Sequence, residues 1–495
     1  MIDIKLEPLG KIIQVEKHTA LQDVLFDHGV EFPCGGDGTC GKCKVRVIDG
    51  DLPINDIQRR YFSQEELSKG WRLACQCSVK EPVTLELAQW EMAILSDDSR
   101  IKVSGREGFG IAVDLGTTTL VVQLIDLSSG NVVGIRTALN PQAKYGADIM
   151  SRIDYALTDD GAQRLRQLIR DQLSDMIREL IGDMVPVEPQ VDRVVIVGNT
   201  AMHHLFCGVD ITPLSRVPFE TENDGQFSWN SADIGWQIPG NPKVEFLPCL
   251  GGFVGSDILA GIIAAGIHQS AEMMALIDLG TNGEVVVGNR ARIFCASTAA
   301  GPAFEGAKIS MGMRATTGAI SRVTLENRRM ISHIIGGGDP KGICGSGLVD
   351  AVACALELGL IDKSGRILDD SGEIVIQAPV VLTQQDVREL QLAKGAIAAG
   401  FDILVQRLRI LKKDIGKVHI AGAFGNYINV ENAMKIGLLD FDHQKIVQAG
   451  NTALRGAKMA LFGSSDYRSI IERCTHVPLA NDKQFMEIFV DNMHF

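Results

Sequence analysis

The sequence predicts two different folds in one chain: a small α+β domain, followed by a larger α/β domain built from two similar halves. Five of the eleven cysteines lie within the first 77 residues, which indicates a metal site there. Farther along, a strand ending in Asp-Leu-Gly-Thr occurs twice, at Asp114 and at Asp278. A chain of 495 residues has room for these parts, at about 100–200 residues per domain.

Composition and charge exclude several classes of protein. The chain is 45% hydrophobic and 22% charged, which is typical of a globular protein and not of a disordered one. A net charge of -13 repels phosphate backbones, so we expect no nucleic-acid partner. Apolar stretches such as 258–267 have about half of the roughly 20 residues that a membrane span needs, and the start shows no signal-peptide pattern. We therefore expect a cytoplasmic protein with no membrane partner.

The cysteine-rich region has the spacing of an iron–sulfur site. In PCGGDGTCGKC, five residues separate Cys34 from Cys40 and two separate Cys40 from Cys43. The glycines between them let backbone N–H groups approach anionic sulfur. The later run WRLACQC, residues 71–77, supplies a fourth thiolate. A structural zinc site is the alternative, but such sites usually have two C-x-x-C pairs and this region has one.

This pattern resembles the 2Fe-2S ferredoxins, in particular the branch whose last ligand lies in an Arg-Leu-x-Cys-Gln run. The resemblance implies that a 2Fe-2S cluster is bound by Cys34, Cys40, Cys43 and Cys75. By the same match, Cys77 is not a ligand.

The surrounding sequence fits the β-grasp fold of those ferredoxins. IDIKL and KIIQV alternate as a hairpin, and further strands are predicted over 44–48 and 83–87. A helix from Thr19 would pack on this sheet. We expect the ferredoxin-like domain to span residues 1–90 and a linker to follow at 91–107, where the sequence becomes polar with little periodicity.

The rest of the chain contains an internal duplication. IAVDLGTTTLVVQLI at 111–125 corresponds to LIDLGTNGEVVVG at 276–288. RVVIVGNTAMHHLF at 193–206 corresponds to KVHIAGAFGNYIN at 417–429, and a helical stretch precedes each copy. Two homologous α/β halves predict a cleft in which the two Asp-Leu-Gly-Thr loops face each other.

The chemistry of two such loops suits a nucleoside triphosphate. Glycine lets backbone N–H groups approach phosphate oxygens, threonine hydroxyls add donors, and Asp114 and Asp278 would hold Mg²⁺ or its waters. The arrangement resembles the superfamily of acetate and sugar kinases, heat-shock cognate proteins and actin. That resemblance implies a duplicated α/β actin-like (RNase H-like) ATPase that binds ATP.

The resemblance also implies which loops contact the nucleotide. Two phosphate loops and one adenosine loop are formed by Gly116, Thr117, Thr118 and Thr119, by Gly280, Thr281, Asn282 and Gly283, and by Gly422, Ala423, Phe424 and Gly425. The adenosine loop departs from the superfamily, which usually has two adjacent glycines there. We expect subdomain I at 108–270, subdomain II at 271–445, and C-terminal helices at 446–495 that return to subdomain I, the first of them over 446–461.

Asn199 is the candidate residue for orienting the attacking water. It follows a strand that often presents such a polar group in the superfamily. Because an asparagine cannot take a proton, this residue fits slow, positioned hydrolysis better than transfer by a general base. Thr200 and Glu305 are the alternatives.

A ferredoxin joined to an actin-like ATPase resembles the reductive activators of corrinoid proteins. Four runs are similar to characteristic stretches of that family: VGNTAMHHLF, FLPCLGGFVGSD, AAGPAFEGA and ICGSGLVD. The resemblance implies an ATP-hydrolysing iron–sulfur oxidoreductase of anaerobic methyl transfer, which reduces corrinoid Co(II) to Co(I) through the 2Fe-2S cluster. Larger members of the family insert an extra small domain where this chain has only the linker.

The implied partners are the corrinoid protein of a methyltransferase system and an external low-potential electron donor. No residue pattern indicates a corrinoid binder, so the cobalt would belong to the partner. Homodimers are common in the superfamily, and the sequence leaves a homodimer open.

Three other functions compete with this one. An activator of 2-hydroxyacyl-CoA dehydratases also uses an actin-like ATPase, but its cluster is ligated from within the ATPase, where this chain has no C-x-x-C pair. A small-molecule kinase with a redox-sensing domain and a chaperone-like binding module are the others.

Some conspicuous residues have structural interpretations instead. We expect His203 and His204 to be packed or capping residues and the six later cysteines to be buried thiols. The segment with Trp229 and Trp236 is interpreted as a structural insert.

Overall fold

The computed structural model describes the chain except residues 8–10, 26–29, 31–37, 39–42, 88–105, 147, 183–189, 220, 222, 281, 307, 316–317, 336, 426 and 464–466. The chain divides into two compact units. One unit comprises Met1–Ala93, Thr117–Thr119 and Ala138–Ile169, and the other comprises Ile94–Gly116, Leu120–Thr137 and Arg170–Phe495.

The N-terminal part of the chain forms a five-stranded sheet with short helices. Its elements are β1 (Ile2–Glu7), β2 (Lys11–Val15), α1 (Leu21–Leu25), β3 (Lys44–Asp49), α2 (Gln58–Tyr61), α3 (Gln64–Ser68), β4 (Trp71–Leu73) and β5 (Val83–Leu87). The strand order is β2-β1-β5-β3-β4, with β1 antiparallel to β2 and parallel to β5. Leu21 and Leu25 of α1 are fully buried with Ile4 and Leu6 of β1, because alternate strand residues face the helix. The predicted β-grasp arrangement is confirmed.

The next part of the chain builds the first of two six-stranded sheets. Its elements are β6 (Phe109–Leu115), β7 (Thr119–Asp126), β8 (Val132–Leu139), α4 (Ile149–Ala156), α5 (Gly161–Gly182), β9 (Val191–Gly198), α6 (Thr200–Cys207), β10 (Phe227–Asn230), β11 (Lys243–Phe246) and α7 (Ser256–Ala265). The strand order is β10-β11-β9-β6-β7-β8. β6 is antiparallel to β7 and parallel to β9, and β9 is parallel to β11.

The C-terminal part builds the second six-stranded sheet. Its elements are β12 (Met273–Leu279), β13 (Gly283–Gly288), β14 (Ile293–Thr298), β15 (Ala319–Glu326), β16 (Arg329–Ile334), β17 (Gly342–Ile343), α8 (Gly345–Leu358), β18 (Glu373–Gln377), β19 (Val380–Thr383), α9 (Gln384–Leu408), β20 (Ile415–Ala421), α10 (Gly422–Gly425), α11 (Val430–Lys435), β21 (Ile446–Gly450), α12 (Thr452–Phe462), α13 (Tyr467–Glu472), β22 (Cys474–His476) and α14 (Phe485–Asp491). The strand order is β21-β20-β12-β13-β14-β22.

The two six-stranded sheets repeat one design, as the sequence predicts. In the second sheet β12 is antiparallel to β13 and parallel to β20, and β20 is parallel to β21. These relationships are those of β6, β7, β9 and β11 in the first sheet. The duplicated α/β fold is therefore confirmed, and the central strands are buried because helices cover the sheets.

The predicted helix over 446–461 is wrong at its start. Residues Ile446–Gly450 form strand β21, and the helix begins only at Thr452. Gly450 has a φ of +68°, which ends the strand, and Asn451 then caps α12 with its side chain. Helix α12 packs against α7, β6 and β9 of the first sheet, whereas β22 pairs with β14 and α14 packs against α9. The C-terminal segment thus adds two strands to the second sheet and packs one helix against the first, so it is not only helical.

None of the helices in the described part of the chain has both the length and the apolar character needed to cross a membrane.

Candidate functional site

Four carboxyl groups lie near the Asp-Leu-Gly turns of the two sheets, and their charges influence one another's pKa values. Asp114 is the penultimate residue of β6, and Asp278 has the same place in β12. Glu284 on β13 is the register partner of Asp278, and Asp257 lies in the first turn of α7. Each lies at an element end whose position is set by the buried apolar residues beside it.

The surroundings of these groups raise their pKa values. Withdrawal from solvent raises the pKa of Asp114 to about 6, although a hydrogen bond from Asn451 opposes the change. Loss of solvent and the charge of Asp114 raise the pKa of Asp278 to about 7. Asp257 also has a pKa of about 7, first from burial and next from the charge of Asp278. The pKa of Glu284 is raised for the same reasons. Such a cluster favours a bound cation that would lower all four.

These carboxylate oxygens suit a magnesium ion that keeps part of its shell of water molecules. Among the described residues no three acidic, histidine or cysteine side chains are close enough to ligate a single metal ion. Mg²⁺ usually keeps several of its waters and takes only one or two carboxylates together with substrate phosphates. The separated carboxylates suit a hydrated ion that is completed by a nucleotide.

Asp257 is a residue that the sequence analysis missed as a site residue. Gly255 allows α7 to start against the end of β9, since a Cβ at this position would lie 2.3 Å from the carbonyl oxygen of Gly198. The Ser256 hydroxyl then accepts from the Gly198 N–H and donates to the Gly198 carbonyl, both at 3.1 Å. These contacts fix the next side chain, Asp257, toward the carboxylates. The sequence signal that could have identified Asp257 is the Gly-Ser-Asp run before an apolar helix.

Asn451 is a second missed residue. Its Nδ2 donates to Asp114 Oδ2 at 2.8 Å, and its Oδ1 accepts from the N–H of Leu454 at 2.8 Å as the cap of α12. One side chain therefore both starts a helix and orients a site carboxylate.

The predicted adenosine loop lies directly beside Asp278. Gly422 has a φ of +86°, and a Cβ there would lie 2.6 Å from Asp278 Oδ1. Only glycine fits this position without strain. Phe424 is 8% exposed and stacks on Phe304 with ring centroids 4.6 Å apart, so its side chain belongs to the core. A nucleotide would meet the backbone of this loop and not the phenyl ring.

The two predicted phosphate loops are short turns between paired strands. The first loop is divided between the two compact units, since Gly116 belongs to one unit and Thr117–Thr119 to the other. Thr117 is buried. Within that other unit, the carbonyl of Thr118 accepts from the N–H of Asn140 at 2.9 Å.

In the second loop, the N–H of Gly280 donates to the carbonyl of Asn282 at 3.1 Å. Gly283 packs closely, since a Cβ there would lie 2.5 Å from Ile397 Cγ1. Thr281 lies outside the described residues.

The candidates for water positioning lie at the start of α6 and after β14. Asn199 is 9% exposed and caps α6, with Oδ1 accepting from the N–H of Met202 at 3.0 Å. Thr200 donates from Oγ1 to the carbonyl of Gly251 at 2.7 Å. Glu305 is half-buried at the end of a 3₁₀ turn. Asn199 and Thr200 thus have structural roles, and the choice among the three as the water-orienting group stays a prediction.

A pair of cysteines marks the predicted cluster site in the N-terminal sheet. Cys43 Sγ and Cys75 Sγ are 3.3 Å apart, although 31 residues separate them in the sequence. The N–H of Ala74 donates to the Cys43 carbonyl at 2.8 Å, which holds the two segments together. Two thiols at this distance suit ligation of one iron of a 2Fe-2S cluster. Cys34 and Cys40 lie outside the described residues.

Cys77 is in a different environment from Cys75. It is 5% exposed, and Gln58 Nε2 donates to its sulfur at 3.8 Å. Burial raises the pKa of the Cys77 thiol to about 12, which disfavours the thiolate that a metal requires. This geometry supports Cys75 over Cys77 as the ligand.

The structural interpretation of His203 and His204 is confirmed, and the burial of Trp236 supports a structural role for its segment. His203 and His204 are fully buried, and they donate to the carbonyls of Gly225 and Thr200. Burial lowers the pKa of His203 to about 4, so this ring is neutral. Trp236 is 2% exposed and donates from Nε1 to the carbonyl of Arg170 at 3.0 Å, which makes it part of the core.

Of the six later cysteines, four are buried and two are half-buried. Cys249, Cys295, Cys344 and Cys354 are buried, and Cys207 and Cys474 are half-buried. Burial raises the pKa of Cys354 to about 11 and that of Cys474 to about 12. The prediction of buried thiols is therefore confirmed for these four, whereas Cys207 and Cys474 keep part of their surface exposed.

Comparison with known protein families accounts for most of the chain in three matches. Residues 272–495 match the family described as the C-terminal domain of RACo, the ASKHA domain. Residues 109–270 match the RACo middle region, and residues 4–80 match the 2Fe-2S iron-sulfur cluster binding domain.

Individual proteins give a consistent result. The chain is 37% identical over 422 residues to the corrinoid activation enzyme RamQ of Eubacterium limosum, covering 78% of this chain and 70% of that protein. It is 27% identical over 423 residues to the [Co(II) methylated amine-specific corrinoid protein] reductase of Methanosarcina barkeri, covering 78% and 77%. A solved structure of a reductive activator for corrinoid, iron-sulfur protein has a TM-score of 0.70 and 28% identity, covering 100% of this chain and 98% of that one.

Proposed function

The chain belongs to the RACo family, and we propose on that basis that it uses ATP to drive the reductive activation of a corrinoid protein. The 2Fe-2S cluster that Cys34, Cys40, Cys43 and Cys75 would hold would supply the single electron that converts the partner's Co(II) to Co(I). The observation that carries this proposal is the presence, in one chain, of a cysteine pair suited to an iron–sulfur cluster and a carboxylate cluster suited to Mg²⁺ and nucleotide. An external low-potential donor would reload the cluster, and a homodimer stays a prediction.

On the nucleotide side, each residue has a proposed part. Asp114 and Asp278 hold hydrated Mg²⁺, and the two phosphate loops bind the phosphates through backbone N–H groups. Asn451 orients the Asp114 carboxylate, as its 2.8 Å hydrogen bond supports. The backbone at Gly422 approaches the nucleotide beside Asp278.

Asp257 supplies a proton acceptor, which Asn199 cannot provide. Its carboxylate, buried beside Asp278 and Asp114, can accept a proton from an attacking water, whereas an amide cannot. The Oδ1 of Asn199 accepts from the N–H of Met202, which fixes this side chain at the start of α6. In this assignment Asn199 orients the attacking water and Asp257 receives its proton.

On the cluster side, Cys34, Cys40, Cys43 and Cys75 ligate the two irons. The cluster supplies a one-electron store that the chain itself lacks. Cys43 and Cys75 share one iron in this assignment, which their 3.3 Å separation supports.

The energetics explain why ATP is needed. Each deficit of about 59 mV in a one-electron step costs about 1.4 kcal/mol. A plant-type 2Fe-2S centre has a potential of about -400 mV, and a shortfall on the order of 100–200 mV would cost roughly 2–5 kcal/mol. A nucleotide that binds one conformation of the complex more tightly can shift an equilibrium by this amount.

The test is the anaerobic absorbance of a Co(II) corrinoid protein mixed with this protein and a low-potential chemical reductant, with and without Mg-ATP. Co(I) is expected only with ATP, and it should be lost in Cys75→Ser and in Asp278→Asn. Cys77→Ser and Asp370→Asn are the matched controls, because Cys77 is the non-ligand thiol and Asp370 is an exposed surface residue. Hydrolysis of ATP without any Co(I), across several corrinoid proteins, would overturn the proposal and favour the kinase or dehydratase-activator functions.

A further inference from the structure

We propose that the side chain of Gln76 raises the reduction potential of the 2Fe-2S cluster by donating a hydrogen bond to the sulfur of Cys75. This inference rests on the assignment of Cys75 as a ligand in the proposed function. Gln76 is a positioning and tuning residue in this scheme, because it acts on the cluster through the ligand.

The amide of Gln76 contacts the sulfur of Cys75 directly, and Gly38 lies on its other side. Gln76 Nε2 lies 3.5 Å from Cys75 Sγ, within hydrogen-bonding range for sulfur. The same nitrogen lies 2.7 Å from the place that a Cβ on Gly38 would occupy. Gly38 has a φ of +73° and lies in the sequence between the predicted ligands Cys34 and Cys40. The amide is therefore confined between the ligand sulfur and Gly38.

Asn55 determines which end of the Gln76 amide faces the sulfur. Asn55 Nδ2 donates to Gln76 Oε1 at 3.1 Å, so the oxygen of Gln76 points toward Asn55 and its nitrogen toward Cys75. Asn55 is itself fixed, since its Oδ1 accepts from the N–H of Gln58 at 2.9 Å. The donor orientation at the sulfur is thus set by a chain of hydrogen bonds and not by free rotation of the amide.

A donor at a ligand sulfur favours the reduced cluster. Reduction places an additional negative charge on the iron and its thiolates, and an N–H donor stabilises that charge. Removal of the donor should make the cluster harder to reduce and the electron more reducing once loaded. In the proposed function, the hydrogen bond eases loading by the external donor and increases the part of the driving force that ATP must supply.

The experiment measures the midpoint potential of the cluster in the full-length protein, by absorbance during a redox titration without corrinoid protein or nucleotide. Gln76→Leu removes the donor and keeps the volume. At a fixed potential near the midpoint, the ratio of reduced to oxidised cluster should fall about three- to tenfold, which is a lowering of about 30–60 mV for a one-electron couple.

Asn55→Asp provides a second, independent variant. The substituted carboxylate keeps an acceptor for the Gln58 N–H but offers no donor to Gln76 Oε1. The Gln76 amide should then turn its nitrogen toward this carboxylate and its oxygen toward the sulfur, so the potential should also fall. Because the added negative charge lowers the potential by itself, the same substitution is also made in Gln76→Leu, where no amide is left to turn. The fall should be larger in the wild-type background than in Gln76→Leu, and equal falls would contradict the orienting role of Asn55.

The control is Gln58→Met, which removes the donor to the sulfur of Cys77 at 3.8 Å. Because Cys77 is not a ligand in the assignment, this variant should shift the potential far less than Gln76→Leu. An unchanged potential in both Gln76→Leu and Asn55→Asp, with the cluster spectrum intact, would overturn the inference. A shift in Gln58→Met alone would instead overturn the ligand assignment.

The failure of this inference differs from failure of the proposed function. A titration without corrinoid protein reports only on the cluster, so it is independent of ATP and cobalt. If the potential shifts as expected while no corrinoid protein is reduced, the tuning role stands and the function is wrong.

Discussion

Asn451 donates a hydrogen bond from Nδ2 to Asp114 Oδ2 at 2.8 Å, across 337 positions of the sequence. The bond joins the start of helix α12 to the end of strand β6. Since the same side chain caps α12 through Oδ1, the position of the helix and the orientation of the carboxylate depend on one residue.

Substitutions of Asn451 should separate these two roles. Asn451→Ser keeps a good helix cap but loses the donor to Asp114, so we expect a change of only a few tenths of a kcal/mol in the free energy of unfolding. Asn451→Ala loses both and should cost about 1–2 kcal/mol.

In both Asn451 variants the pKa of Asp114 should rise, because the hydrogen bond that lowers it is gone. The acid limb of the ATPase pH profile should therefore move to higher pH. Chemical denaturation and a pH profile of ATP hydrolysis are the measurements. A normal profile in the serine variant would contradict the role of Asn451 at the site.

Asp278→Asn should reduce ATP hydrolysis by about 100-fold or more. The substitution removes one of the carboxylates proposed to hold Mg²⁺, which should raise the activation free energy by several kcal/mol. Each factor of ten in rate corresponds to about 1.36 kcal/mol. Steady-state hydrolysis and Mg²⁺-dependent nucleotide binding are the measurements. Asp370→Asn, on the surface, should keep the wild-type rate, and an equal loss in both variants would indicate a general effect of charge.

The carboxylate cluster also predicts how stability depends on pH in the absence of Mg²⁺ and nucleotide. The pKa values of Asp257 and Asp278 are raised to about 7 in the folded protein, well above about 3.9 in the unfolded chain. Between these values the folded state binds more protons than the unfolded state, so stability decreases as pH rises from about 4 to about 7.

Thermal unfolding at about pH 5.5 and about pH 7.5 tests this dependence, with EDTA present. The wild-type protein should lose more stability than Asp257→Asn over this interval, because the amide does not ionise. Saturating Mg-ATP should reverse the trend in the wild-type protein, since a cation favours the ionised carboxylates. Parallel slopes in the two proteins without Mg²⁺ would contradict the raised pKa of Asp257.

Gly422→Ala should impair nucleotide binding at least tenfold. A Cβ there would lie 2.6 Å from Asp278 Oδ1, and the φ of +86° is strained for alanine. Gly359→Ala is the matched control, because Gly359 has a φ of +73° but no atom within 4 Å of an added Cβ. Gly359→Ala should lose about 1 kcal/mol of stability, and Gly422→Ala should lose more, because its Cβ would also lie 2.6 Å from the carbonyl oxygen of Leu279. Only Gly422→Ala should lose affinity for ATP in a titration. Equal affinity in the two variants would mean that the loop is distant from the nucleotide.

Cys75→Ser should abolish the visible absorbance of the 2Fe-2S cluster, whereas Cys77→Ser should retain it. The two thiols are neighbours in sequence, but only Cys75 lies 3.3 Å from Cys43. Iron and sulfide content after anaerobic reconstitution gives the same information without relying on colour. Loss of the cluster in Cys77→Ser, with a folded domain, would reverse the assignment.

The sequence by itself determined the features that depend on local pattern and on repetition. Asp114 and Asp278 could be recognised because the same strand and turn occur twice, and a repeated unit must bury its apolar strands in the same way. The strands of the N-terminal sheet followed from alternating apolar residues, which face a helix on one side. The spacing of Cys40 and Cys43 likewise carries its own chemical meaning.

Only the tertiary structure decided the residues whose role comes from distant contacts. In the sequence Asn451 is an ordinary helix cap, and its contact with Asp114 exists only because α12 packs against β6. Asp257 is an acidic residue in the first turn of a helix, and it joins the site only because Gly255 and Ser256 fix α7 on β9. Gln76 gains a function only when Asn55, from another loop, orients its amide. Hydrogen bonds and charges act over a few ångströms, so their partners are determined by which segments the packed core brings together and not by their order in the chain.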